Sequence, residues 1–184
     1  MDLKNMDYLE KWDLAQNPST PVDVLRELAK NFAKDEYWAV RLQVALNHNT
    51  PEDVLRDLAK DVIMNLKNMD YYDKGELAER PNTPVDVLRE LAKDKDYRVR
   101  WYVALNPNTP VDILRELAKD EDGSVRRNVA EHPKSSIKLL VMQFEYEKSF
   151  RYPQPAVISA LYANKNLPAF AKRVIETLFG EMIT

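Results

Sequence analysis

The chain of 184 residues has no cysteine and only three glycines, Gly75, Gly123 and Gly180. Average usage of about 7% would supply roughly thirteen glycines. Without cysteine there is no disulfide framework, thiolate metal site, iron–sulfur cluster or cysteine nucleophile. Three glycines so far apart cannot form the dinucleotide or phosphate-binding glycine loops. Long hydrophobic runs are missing too: no stretch approaches 18 apolar residues, and the start, MDLKNMDYLEKWD, has neither a cationic nor an apolar leader region. The expectation is a cytoplasmic protein with no membrane partner. Charge of one sign is also scarce. The net charge is -3, split as -6 over residues 1–94 (13 Lys+Arg, 19 Asp+Glu) and +3 over residues 95–184 (14 against 11), which does not suit a coat for nucleic acid or anionic lipid.

Proline, in contrast, is plentiful, with eleven residues, and most of it belongs to an internal repeat. The string NPSTPVDVLRELAK at 17–30 recurs as NHNTPEDVLRDLAK at 47–60, RPNTPVDVLRELAK at 80–93 and NPNTPVDILRELAK at 106–119. Weaker copies begin at His132 and Asn164. A longer period is superimposed, because residues 3–30 match residues 66–93 at 21 of 28 positions. A two-repeat block duplicated in tandem accounts for this.

Each unit reads as two short helices. Thr20, Thr50, Thr83 and Thr109 are expected N-caps, with proline at the first helical position and, as in Asp112, an acid at the third to complete a capping box. Val111, Leu114, Leu117 and Ala118 then form the expected buried stripe, with Arg115, Glu116 and Lys119 in water. A second helix is expected over Tyr97–Leu105, matched by Trp38–Leu46 and Ser124–Glu131, and ended by the next Asn-Pro turn. Such helices are too short to be stable alone, so pairs must stack on neighbouring pairs.

The motif N-P-N-T-P-x-x-x-L-x-x-L-A-x-D followed by V-R-x-x-V-A closely resembles the leucine-rich repeat variant family, strongly over about residues 14–133 and weakly beyond. The resemblance implies an all-α, right-handed α-solenoid of the HEAT/armadillo type, here of about six two-helix repeats, each α plus short α or 3₁₀. The expected organisation is one repeat domain over 1–184, with a truncated unit at 1–16, regular repeats at 17–133 and an irregular, capping end at 134–184. Some relatives carry a cysteine-rich cluster segment, which a chain without cysteine cannot reproduce; no cofactor or metal is expected.

Arg41, Arg100 and Arg126 share one column. They can form an anion ladder, or pair with turn acids such as Asp35, Asp94, Asp96, Asp120 and Asp122 or with orphan carbonyls; the HEAT-type resemblance favours pairing. The terminal copy has Ile158 there. On the second helices, columns that vary between copies are expected to face outward: Ala39, Leu42 and Gln43; Arg98, Trp101 and Tyr102; Ser124, Arg127 and Asn128; and Trp12, Asp13, Gly75 and Glu76 in the lysine-containing copies. Arg98, Trp101, Tyr102, Arg127 and Asn128 have the composition of an interaction hot spot and form the candidate partner-binding set. No catalytic residue is expected, since His48 and His132 lie 84 residues apart in turns.

The expected function is a non-catalytic scaffold binding a protein or peptide. The alternative is nucleic-acid or phosphate binding by the C-terminal half, through Arg98, Arg100, Arg126, Arg127, Lys134 and Lys138 with stacking from Trp101 and Tyr102. Phe170, Val174, Ile175, Leu178 and Phe179 give the last helix a strongly apolar face, expected to cap the stack or to support a homodimer.

Overall fold

A computed structural model describes residues 3–31 and 38–183. It contains twelve α-helices and, among the described residues, no strand. The helices are α1 (Tyr8–Gln16), α2 (Val22–Asn31), α3 (Trp38–Leu46), α4 (Glu52–Asn65), α5 (Tyr71–Glu79), α6 (Val85–Leu91), α7 (Tyr97–Leu105), α8 (Val111–Leu117), α9 (Gly123–Glu131), α10 (Ile137–Lys148), α11 (Pro155–Ala163) and α12 (Ala169–Phe179). These are six helix pairs, as the repeat count requires. Both members of each pair are α-helical; 3₁₀ turns occur only at Leu66–Asn68 and Gly180–Met182 among the described residues.

The chain divides into two compact units, Met1–Glu90 and Leu91–Thr184. In the first, α3 packs against α1, α2, α4 and α5, and Leu25, Leu28, Val40, Val44, Leu58, Leu77 and Leu88 are buried between the helices. In the second, the odd-numbered helices stack in the order α7, α9, α11, while α8, α10 and α12 form a second layer against them. Val99, Val103, Ile113, Leu114, Val125, Val129, Leu140, Ile158 and Ile175 fill that core. The expected stripe on α8 differs in one member: Leu114, Leu117 and Ala118 are buried as expected, but with Ile113 in place of Val111, the first helical residue, which is exposed. A side chain there lies over the turn before the helix rather than over the core.

The repeated threonines do not cap. The N-cap residues of α4 and α8 are Pro51 and Pro110, in extended conformation with no side-chain cap bond. Thr109 stands one residue outside the helix, and its buried hydroxyl donates to the Val103 carbonyl six residues back, at 2.6 Å. Thr20 does the same to Leu14 at 2.6 Å, and Thr50, Thr83 and Ser135 repeat the bond to Val44, Leu77 and Val129. The hydroxyl therefore satisfies the end of the helix before the turn, not the start of the one after it. Where proline is replaced in this column, by Ser136, a side-chain cap appears, accepting from the Leu139 N–H at 3.4 Å. The true caps belong to the second helices. Asp7 forms a capping box with Glu10, and Asp70, Asp96 and Asp122 each accept one or two N–H groups of the first turn.

Successive pairs are joined by side chains reaching back one repeat. Asn47 donates to the Ala15 and Asn17 carbonyls at 2.7 and 2.8 Å. Arg80 in the same column donates to Ala45 and Asn47, and Asn164 donates to Ala130 at 2.6 Å. Burial pushes the Arg80 guanidinium down to about 10. The arginine column pairs in the structural sense. Arg100 donates to the Asp94 and Lys95 carbonyls of its own turn and to Asp120 of the next, at 2.7 and 2.9 Å. Arg41 reaches Asp61 at 2.7 Å. Arg126 holds the Asp120 and Glu121 carbonyls at 2.8 and 3.0 Å and pairs with the buried Glu147. Of the expected acids, Asp35 lies outside the described residues.

Candidate binding groove

The outward surface of α7, α9 and the start of α11 forms an open groove of about 620 Å³. Its walls include Trp101 and Leu105 from α7, Ser124 and Arg127 from α9, and Gln154 and Ala156 around the N-terminus of α11. The repeat sets this up. Positions 101 and 105 are four apart on α7 and therefore share a face, and stacking α9 beside α7 brings the corresponding positions 127 and 131 alongside. Gly123 opens α9 against Gln154, where an added Cβ would stand 3.1 Å from the Gln154 Cγ. A larger residue there would require the Gln154 side chain to give by a few tenths of an ångström. Gln154 is anchored from beneath, since its backbone N–H donates to the buried Glu147 carboxylate at 3.2 Å.

The five candidate residues separate into different roles. Trp101 is half-buried, lines the groove, and meets Tyr102 edge-on at 5.0 Å between ring centroids. Tyr102 is half-buried and supports the indole without lining the groove. Arg127 is exposed and lines the groove, with its Nε donating to Glu131 one turn on at 2.9 Å. Arg98 lies in a neighbouring depression with Lys95, Tyr97, Glu121 and Asp122. It is held by both oxygens of Asp96, at 3.0 and 2.6 Å, and this pairing takes the Asp96 carboxyl down to about 2. Asn128 is buried, contrary to its expected outward position, and its amide donates to the Trp101 carbonyl at 3.3 Å. The α7 and α9 helices approach so closely that position 128 falls in the seam between them, whereas Asp13 and Glu76 in the same column are exposed. Leu42 and Gly75, which align with Trp101 and Arg127 and share their expected outward position, are buried.

Gln154, Ala156 and Gly123 escape a reading of the repeat alone. The Tyr152-Pro153-Gln154-Pro155 stretch reads as punctuation, and its place against α9 depends on a connection longer than in the interior repeats. Among the described residues, the Ser124 hydroxyl, the Gln154 amide and the Trp101 indole N–H have no hydrogen-bond partner. The exposed Arg98 and Arg127 are paired with Asp96 and Glu131, and the buried Arg100 with Asp120 and Glu121. Asp120 beside it holds the Arg100 guanidinium above its ordinary range.

The α7–α8 pair is the sharpest copy of the repeat, with both helices, the Asn106 turn and the Asp120 ladder acid in place. Residues 97–122 match the leucine rich repeat variant family. The matched unit supplies one wall of the groove, and the pairs on either side carry the same Asp caps and hydroxyl bonds, with Arg80 and His132 as their back-reaching side chains. The matched unit is one of six helix pairs in an all-helical repeat fold. No curated protein and no solved structure matches the chain. No helix among the described residues is long and apolar enough to cross a membrane.

Proposed function

We propose that the chain is a non-catalytic scaffold that binds a protein or peptide in the groove of α7, α9 and α11. The carrying observation is a half-buried tryptophan flanked by Leu105 and Ala156, beside hydrogen-bonding groups at Ser124 and Gln154 that have no partner of their own. An extended peptide offers what such a surface lacks: backbone carbonyls and N–H groups for the polar rim, and an apolar side chain for the indole. The nucleic-acid reading needs cations available to phosphates; of its six, Arg98, Arg100, Arg126 and Arg127 are instead committed to carboxylates, which leaves it Lys134 and Lys138. The acidic and basic groups of this surface read as internal ties, which supports a partner recognised by shape and hydrogen bonds.

A displayed library of random peptides, panned against the full chain, tests this. Selected peptides are expected to lose about thirtyfold or more in affinity on Trp101→Ala, the size of a hot-spot truncation. They should change little between 50 and 300 mM salt. Binders indifferent to both Trp101→Ala and Arg127→Glu would place the site elsewhere. Tight, steeply salt-dependent binding of single-stranded oligonucleotides would favour the second reading.

A further inference from the structure

The turn between α9 and α10 departs from the pattern of the other turns at one position. In four of the other turns an asparagine occupies this column, Arg80 standing there in the fifth: Asn17, Asn47, Asn106 and Asn164 each accept the N–H two residues on at 2.8–2.9 Å through Oδ1. Asn47 and Asn164 also donate through Nδ2 to a carbonyl of the preceding repeat. His132 occupies this column and reproduces both bonds with a ring. Its Nδ1 accepts the Lys134 N–H at 3.1 Å, and its Nε2 lies 3.0 Å from the Asn106 carbonyl. A backbone N–H can only donate and a carbonyl can only accept, so the two bonds together require the neutral tautomer with its hydrogen on Nε2.

We propose that His132 is an acid-sensitive latch between consecutive repeats, closed with a neutral imidazole and opened when the ring takes a proton. An amide at this position has no such state. Protonation places an N–H on Nδ1 facing the Lys134 N–H, two donors with no acceptor between them, at a side chain that is 3% exposed. Among the charged groups around the ring, Lys134 of its own turn adds to the conflict. The depression beside the ring is also lined by Lys165 of the α11–α12 turn, a cation, and by Glu131, whose charge works in the opposite sense. The α7–α8 turn that receives the Nε2 bond, Asn106-Pro107-Asn108, has no titratable side chain. Burial first, and Lys134 second, hold the imidazole below its ordinary range, with the Asn106 carbonyl opposing them. The unfolded chain therefore binds more protons than the folded one as pH falls through about 6.5, and stability declines in that window. Opening releases the Ser135 turn, whose N–H donates to the His132 carbonyl at 2.9 Å and whose hydroxyl bonds Val129.

The test is the pH dependence of urea unfolding for the full chain and for His132→Asn, which restores the residue used in four of the other turns. The wild-type unfolding constant, relative to that of the variant, should rise as pH drops from 7 to 5, by at most about tenfold per pH unit for one proton. Amide exchange at Lys134 and Ser135 should accelerate on acidification in the wild type only. Parallel stability curves for the two proteins would overturn the proposal. Should the variant fail to fold, the imidazole ¹⁵N shifts of the wild type decide alone. A folded-state titration at or above 6.5, or an Nδ1–H tautomer, would refute the latch.

Discussion

Replacing Arg126 by Met is expected to be among the most damaging single changes in the second unit. The guanidinium is 3% exposed and the Glu147 carboxylate 0% exposed. The arginine also satisfies the Asp120 and Glu121 carbonyls and stands over the Phe150 and Tyr146 rings at 5.1 and 5.9 Å. Methionine keeps most of the apolar stem, so the loss is almost entirely polar: Glu147 becomes a buried carboxylate without its cation. Breaking a buried pair from one side costs about 3–5 kcal/mol. For a chain of this length that corresponds to a fall in Tm of roughly 10 °C. Removing both charges, as Arg126→Met with Glu147→Met, should recover at least about 2 kcal/mol of the summed single losses, since neither partner is then stranded. Full recovery is not expected, because the Gln154 N–H also bonds Glu147. The chain already contains a related solution in the next repeat, where Ile158 fills the column and is fully buried. Urea denaturation of the wild type, both singles and the double gives the coupling directly. Additive losses, or a stable single mutant, would show that the pair does not hold the α9 and α10 repeats together.

Thr109→Asn separates the two roles assigned to this column. A residue acting as an N-cap would tolerate asparagine, whereas the hydroxyl bond to Val103 in a fully buried site should make it cost about 1–3 kcal/mol in chemical denaturation. Thr109→Ser, the residue the chain uses at 135, should be milder. Arg98→Ala removes the first cause of the low Asp96 value, so a carboxyl ¹³C titration should show Asp96 moving up from about 2 toward the ordinary range. The sign matters for stability: the depressed carboxyl favours the folded state above its unfolded value, and that small contribution fades as pH falls toward 2.

The helix pattern was readable because the repeat supplies four independent statements of it. The N-terminal limits expected for α3 and α7 are those found, and that of α9 differs by one residue, Gly123. The threonine assignment failed for a reason local sequence cannot reveal. Thr-Pro before a helix suits a cap on propensity, but the competing acceptor, a carbonyl six residues earlier, becomes near only once the turn has closed. Asn128 was misplaced for a similar reason. A helical wheel drawn from one helix leaves that position outward, and only the close approach of α7 makes it part of the seam. The tryptophan wall of the groove was visible in the column variation, while its opposite wall at Gln154 depends on tertiary placement of an irregular connection.

The back-reaching turn side chains have a consequence for how such a chain can change its length. Each donor in the column addresses main-chain carbonyls, which every residue possesses, rather than a particular side chain in the preceding repeat. The coupling is therefore indifferent to the identity of the neighbour. A pair of helices can be inserted, copied or removed, and the new junction finds the same acceptors in the same place. The near-identity of residues 3–30 and 66–93 is the trace such an event would leave. The side chains that line the groove, such as Trp101 and Arg127, take no part in these bonds and remain open to diversification.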